Sequence, residues 1–376
     1  MRELGLYIHV PFCKQKCNYC DFYSRTCNGT AEIDAYVNAL CEQIEREAPR
    51  YKNCTVKTIF IGGGTPSLLS SEAFERLCAS VYKSINIDPC VEFSLEANPG
   101  TLTLEKLKSY RKNGVNRLSI GLQSVNEHEL KLLGRIHSLS EFEQSLALVR
   151  EAGFDNINVD IMYGLPSQNL DDLQKTVDHV CKLAPTHISA YSLKIEEGTP
   201  FYKQRDSFVL PSDEAELEMY LFICSELKKH GYEQYEISNF SKAGKRCSHN
   251  LTYWKSKEYI GFGPSAHSFF DGKRYFYPQS TSEYISCVKE NSLLPEYEEQ
   301  TEILQDSMDE FVMLALRLSD GISLGEFKAK YGKDLYEAYP KIRQVLGDFL
   351  VEENESVHFT EKGFFVSNYI LSQILF

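Results

Sequence analysis

The sequence has a single tryptophan, Trp254, and nowhere holds eighteen consecutive apolar residues. The second absence excludes a membrane-spanning helix by hydropathy. Basic side chains are also in short supply, 40 Lys and Arg against 53 Asp and Glu, for a formal charge of -13. Nucleic-acid binding as the main task is thereby disfavoured, because phosphate contacts need clustered cations. A Walker-type phosphate loop is missing too, since no glycine turn is followed by Gly-Lys-Ser/Thr. Met1-Arg2-Glu3-Leu4-Gly5 runs straight into a core-strand pattern, with no stretch suited to a signal peptide. A cytoplasmic protein is expected. Hydrophobic content of 43% and charged content of 25% exclude a disordered or fibrous chain.

Cysteine is not scarce. Nine of the twelve, at 27, 41, 54, 78, 90, 181, 224, 247 and 287, show no metal-ligand spacing and read as small buried hydrophobes. The other three, Cys13, Cys17 and Cys20, form C-x3-C-x2-C on a loop after the first apolar run. Such a triplet arises by chance in about one such chain in a hundred. Three thiolates on one short loop can wrap one metal centre. Structural zinc asks for a fourth ligand, and none follows at finger spacing. A four-iron cluster on three cysteines leaves one iron open to an outside ligand.

Leu4–Val10, Val56–Ile61, Val91–Glu96, Arg117–Leu122, Ile157–Met162 and His187–Leu193 read as strands, alternating with amphipathic helical patterns. Ile33, Tyr36, Val37, Leu40, Cys41 and Ile44 form one apolar stripe. Ser140 with Glu143 reads as a capping box, its helix stopped by Gly153, and Pro211-Ser212 opens a long helix running to Gly231. Six strand-helix repeats imply a parallel sheet, open or closed into a barrel. In the C-terminal part, 306–318, 323–331 and 335–346 read as helices, the second opening on a Ser323/Glu326 capping box. Two short strands follow, around 349–352 and 357–360, and then a final helix. Three helices and a wing suggest a winged-helix-like module. Residues 301–376 carry 13 acidic and 7 basic side chains, so we read it as a lid or docking surface rather than a DNA-binding element. The expected domains are a core at 1–232, an extension at 233–300 and the C-terminal module at 301–376.

The cysteine triplet, followed by Asp21-Phe22, resembles the radical S-adenosylmethionine (SAM) superfamily. The resemblance runs nearly end to end. It is close to the oxygen-independent coproporphyrinogen III oxidase group and, within it, to the HemW branch of heme chaperones. It implies a partial (β/α)6 radical SAM barrel with a C-terminal winged-helix-like domain, and a 4Fe-4S cluster on Cys13, Cys17 and Cys20. The amino and carboxylate groups of SAM would chelate the open iron. By the same resemblance SAM contacts fall on Tyr7, Tyr19, Gly63, Gly64, Thr65, Glu96, Gln123, Arg135 and Asp160. From the residues alone, Gly62-Gly63-Gly64 is equally a tight turn, and polar residues at strand ends are equally structural. Arg135 suits a carboxylate partner, with an exposed salt bridge as the plainer alternative.

One position separates the branches. The oxidases carry a fourth cysteine two residues past the third, where this chain has Phe22, and a longer N-terminal stretch that is missing here. Both departures count against oxidative decarboxylation, although the scaffold is able in principle to cleave SAM. His249-Asn250-Leu251-Thr252-Tyr253-Trp254 resembles the H-N-x-x-Y-W motif of the chaperone branch, whose histidine is implicated in heme binding. Imidazole is a sound axial ligand, and Tyr and Trp can wall a flat porphyrin. A hydrogen-bonded packing histidine is the alternative. Cys247 and His267 lie near in sequence, and His9 alternates with Tyr7 toward the barrel interior. The resemblance further implies heme transfer to acceptors such as membrane respiratory enzymes or bacterioferritin-type carriers, and a possible homodimer.

Overall fold

A computed structural model describes residues 1–27, 29–297 and 304–375. The chain divides into two compact units interleaved in sequence. The first takes residues 1–162, 193–208 and 257–300, and the second takes 163–192, 209–256 and 301–376.

In the first unit five parallel strands follow one another in chain order: Arg2–Val10, Cys54–Gly63, Ile87–Ala97, Arg117–Gln123 and Ile157–Tyr163. Helices Thr30–Glu47, Ser71–Ser84, Leu104–Lys112 and Leu139–Glu151 lie on the connections between them. Leu6, Ile8 and Val10 are fully buried, as are Ile59 and Ile61 and then Leu118, Ile120 and Leu122. Strands covered on both faces must be apolar on both, which is why they read as near-continuous hydrophobic runs. On its other side the first strand pairs in parallel with Tyr259–Phe262, Leu6 facing Ile260. His267–Phe270, Lys273–Phe276 and Glu296–Tyr297 then extend that edge antiparallel. The expected stripe on the first helix is present: Ile33, Tyr36, Val37, Leu40 and Ile44 are all buried.

The second unit holds the strand His187–Ser192, paired antiparallel with Asn239–Ser241, which in turn pairs with Glu233–Gln234. Helix Leu170–Leu183 packs on the long helix Asp213–Lys229, whose N-cap Ser212 accepts from the Ala215 amide. The C-terminal part comprises Leu304–Ala315, Leu324–Tyr331 and shorter helices around the hairpin Leu350–Glu353/Ser356–Phe359. Ile322–Ser323 adds a third strand to that hairpin. Asn354 and Glu355 both take left-handed backbone angles, φ 50° and 60°, the geometry of a two-residue hairpin turn. Helix Leu324–Tyr331 and the hairpin stand where the sequence places a helix and a wing. Residues 233–256 belong to the second unit and 257–300 to the first.

Three local expectations are corrected. The capping box before Gly153 is Ser138/Glu141, not Ser140/Glu143: Ser138 accepts from the Glu141 amide while the Glu141 carboxylate takes the Ser138 amide. The 335–346 helix is two short helices, Leu335–Ala338 and Ile342–Val345, because Pro340 between them lacks the amide that a continuous helix needs. The terminal helix is likewise two, Glu361–Phe365 and Ser367–Leu375. Of the nine scattered cysteines, Cys54, Cys78, Cys181, Cys224 and Cys247 are buried, Cys90 is exposed and the rest are intermediate.

Removing the cap acceptor in Ser138→Ala should cost about 1 kcal/mol in denaturant unfolding. Ser140→Ala, on the exposed first turn, should stay within about 0.5 kcal/mol of the parent chain.

Candidate cluster and cofactor site

The parallel register brings the C-terminal ends of the strands to one edge, where the cysteine loop lies. The loop is closed at its base. Phe12–Cys13 pairs in parallel with Arg25–Thr26, and the Cys27 amide donates to the Cys13 carbonyl at 3.2 Å. Its middle is pinned by Asn18, whose amide donates to the Leu133 carbonyl at 2.9 Å and whose Nδ2 donates to the Leu132 carbonyl at 2.8 Å. The Asn18 carbonyl accepts from the Phe201 amide at 3.0 Å, and Gln15 Nε2 donates to the Gly134 carbonyl at 3.1 Å.

Each of the three sulfurs faces a hydrogen-bond donor, that of Cys20 the Phe22 backbone. Thr65 Oγ1 lies 3.5 Å from Cys13 Sγ, and Arg135 Nη1 lies 3.6 Å from Cys17 Sγ. Arg135 Nη2 also donates to Asn98 Oδ1 at 2.8 Å and to the Gly121 carbonyl at 2.7 Å. Asn98 Nδ2 donates to Thr65 Oγ1 at 2.8 Å, so one network ties both sulfurs together. Donors aimed at sulfur favour thiolate over thiol. Burial, with the charges of the neighbouring cysteines adding to it, pushes the Cys13 thiol up and the Cys20 thiol to about 11, so ligation of a metal must release protons. Among the described residues Arg135 forms no exposed salt bridge, and its Nε is buried without a hydrogen-bond partner, a donor available to an anion. Thiols beside a hydroxyl and a guanidinium, with that vacant donor close by, fit an iron-sulfur centre and a carboxylate-bearing ligand.

The glycine turn is stitched to the end of the first strand. The Gly64 amide donates to the Val10 carbonyl at 2.8 Å and the Thr65 amide to the Phe12 carbonyl at 2.7 Å. Gly63 sits at φ +111°, and a Cβ there would fall 2.5 Å from the His9 ring. Its amide donates to Glu96 Oε2 at 3.0 Å. Desolvation, with the charge of Asp160 adding to it, raises the Glu96 carboxyl to about 7. Asp160 itself accepts from Ser119 Oγ at 3.2 Å and from Asn158 Nδ2 at 2.7 Å. Gln123 follows a bulge, adopts φ +72°, and folds its amide over Gly121 beside Arg135 and Asn98. Tyr19 is close enough to Arg135, Cys17, Cys20 and Asp160 to feel their charges. His9 Nε2 lies 2.8 Å from the Tyr23 carbonyl, which only accepts, so the ring proton is on Nε2 and Tyr7 OH donates to Nδ1 at 2.9 Å. Tyr7, Tyr19, Gly63, Gly64, Thr65, Glu96, Gln123, Arg135 and Asp160 thus gather around the cysteine loop. Asn98 and His9 join them. The Asn98-Pro99-Gly100 turn directly after the third strand was the available signal for Asn98.

Comparison with known proteins now decides the family. Residues 7–180 match the radical SAM superfamily and residues 304–366 the HemN C-terminal domain. The heme chaperone HemW of Bacillus subtilis (strain 168) is 37% identical over 375 residues, covering 98% of each chain. The chain belongs to the HemW family. Heme chaperone HemW of Lactococcus lactis is 33% identical over 375 residues, 98% of this chain and 96% of the relative. Among solved structures, coproporphyrinogen III oxidase (HemN) from Escherichia coli superposes with a TM-score of 0.85 over 99% of this chain and 89% of that one. At 24% identity that likeness shows the shared radical SAM fold. In this HemW-family chain Phe22 is 68% exposed, and its carbonyl accepts from Lys16 Nζ at 3.1 Å.

The second unit holds the histidine motif on helix Ser248–Trp254. His249 is buried, and its Nε2 lies 2.7 Å from Tyr253 OH, four residues on and on the same helical face. Any ligand taken at Nε2 would have to displace the Tyr253 hydroxyl. Trp254 is partly exposed beneath the guanidinium of Arg317, 5.9 Å from the ring centre. Cys247 is buried, with its amide 3.2 Å from Tyr235 OH, while His267 is exposed and stacks on Phe276. No helix among the described residues is long and apolar enough to cross a membrane.

Glu96 generates a pH dependence. Its folded carboxyl keeps a proton between about 4.5 and about 7, where the unfolded chain has lost it. This contribution to stability is full at low pH and disappears as pH rises through that window. Glu96→Gln should therefore gain on the parent protein by the order of 3 kcal/mol between pH 4.5 and 7, read from denaturant midpoints at each pH.

Proposed function

We propose that this protein is a heme chaperone, which binds heme at the His249–Trp254 motif and passes it to acceptor proteins. The observation that carries the reading is similarity along the whole chain to proteins named heme chaperones. Phe22 at the branch-separating position supports it. Cys13, Cys17 and Cys20 hold a 4Fe-4S cluster, with Thr65 and Arg135 donating to the sulfurs. Tyr7, Tyr19, Gly63, Gly64, Thr65, Glu96, Gln123, Arg135 and Asp160 form the SAM pocket. The cluster and SAM, when bound, supply one-electron chemistry at carbon. The chain's own contribution is positional. Arg135 offers its vacant Nε to a carboxylate, Gly63 and Glu96 receive an amino group, and His9 directs the Tyr7 hydroxyl.

At the motif His249 would hold the heme iron through Nε2 with the Tyr253 hydroxyl displaced, and Trp254 would wall the macrocycle. The extension at 233–300 carries this motif between the core at 1–232 and the C-terminal module at 301–376. We further infer a cytoplasmic protein that meets acceptors such as membrane respiratory enzymes or bacterioferritin-type carriers, and a homodimer is compatible with the reading.

The test is anaerobic reconstitution with SAM, reductant and coproporphyrinogen III, alongside a heme titration followed at the Soret band. The parent should bind heme stoichiometrically and form no decarboxylated product. His249→Ala should weaken heme binding by about ten-fold or more while the iron-sulfur spectrum stays intact. Replacing Cys13, Cys17 and Cys20 by Ala should abolish the broad iron-sulfur absorbance. Cysteine-dependent protoporphyrinogen formation would make the protein an oxidase instead.

A further inference from the structure

Residues 242–255 include Lys242, Lys245, Arg246 and Lys255 and no Asp or Glu, although the chain carries a net charge of -13. Within the same unit, two arginines near this segment are satisfied very differently. Arg246 Nη1 donates to both carboxylate oxygens of Asp320, each at 3.0 Å. Arg317 makes no ion pair among the described residues. Its Nη2 donates to Asn368 Oδ1 at 2.8 Å on the exposed side, its Nε is buried without a partner, and its guanidinium lies over Trp254 at 5.9 Å. The backbone is fixed as well, the Arg317 carbonyl accepting from the Ile237 amide at 3.1 Å.

Desolvation lowers the Arg317 pKa, and Glu236 offsets it only in part. A cation taken out of water without a counter-ion costs free energy, and such a group is completed by an anion. The guanidinium fork matches a carboxylate, and the adjacent indole offers a flat apolar face. A planar apolar body with an ionised carboxylate at its edge satisfies both.

We propose that Arg317 is the carboxylate anchor of the ligand site at Trp254, selecting a macrocycle with free propionates over its neutral ester. This rests on the heme-binding reading of the His249–Trp254 motif. Arg317 sets which form of the tetrapyrrole is accepted, whereas His249 sets whether iron is ligated.

The experiment titrates the full-length protein, anaerobically, with heme and with heme dimethyl ester, in the parent and in Arg317→Gln, Arg317→Lys and His249→Ala. The parent should bind heme about ten-fold more tightly than the ester, the factor of one charge-assisted hydrogen bond. Arg317→Gln should lose that preference by weakening heme and leaving the ester unchanged, and Arg317→Lys should keep part of it. A parent that takes acid and ester equally overturns the anchor, and this comparison needs no variant to fold. An undiminished preference in Arg317→Gln also overturns it. If His249→Ala weakens heme binding while Arg317→Gln binds acid and ester as the parent does, the chaperone reading stands and the anchor falls. No saturable heme binding by the parent overturns both.

Discussion

The site depends on how the first strand ends. Pro11 stops the ladder, and the carbonyls of Val10 and Phe12 on either side accept the amides of Gly64 and Thr65. Those two bonds fasten the glycine turn to the root of the cysteine loop. Thr65 is thereby set against Cys13, Asn98 against Thr65, and Arg135 against Asn98 and Cys17. A side chain at Gly64 would collide with the same two carbonyls. The turn is therefore glycine for a backbone reason before any ligand is considered.

The electrostatics follow from that packing. Glu96 and Asp160 share a region desolvated enough to raise the Glu96 carboxyl to about 7, and Arg135 brings a guanidinium to the same end of the sheet. His9 is pulled the other way, to about 4, by burial, so it is a neutral ring that accepts from Tyr7 and donates to Tyr23. Within one unit the fold thus places a proton-holding acid, a neutral imidazole and a permanent cation side by side. Burial sets the first two states, whereas the Arg135 cation is held by Tyr19, Cys17 and Asp160, whose charges outweigh its desolvation.

Much of this was legible in the sequence. Parallel strands buried on both faces announce themselves as apolar runs, and C-x3-C-x2-C is too rare a spacing to be incidental. Polar residues at the ends of those runs, Glu96, Gln123 and Asp160, fall where an α/β sheet collects its ligands. What escaped was tertiary. Asn98 looks like turn punctuation until Thr65 and Arg135 are seen on either side of it. Ser138 and Ser140 are both followed three residues later by glutamate, and only backbone geometry separates the cap from the decoy. The burial of His249 and its bond to Tyr253 depend on how the helix is seated, which periodicity over seven residues does not specify.

The anchoring of the cysteine loop bears on how a metal is acquired. Asn18, Gln15 and the Phe12–Cys13 ladder order this segment through protein contacts alone. Each of these bonds is made by a group other than a cysteine sulfur, so the fastening of the loop and any ligation by Cys13, Cys17 and Cys20 draw on different atoms. Losing a sulfur therefore removes a ligand and none of these contacts, whereas losing the Asn18 side chain loosens the loop and leaves all three ligands in the chain.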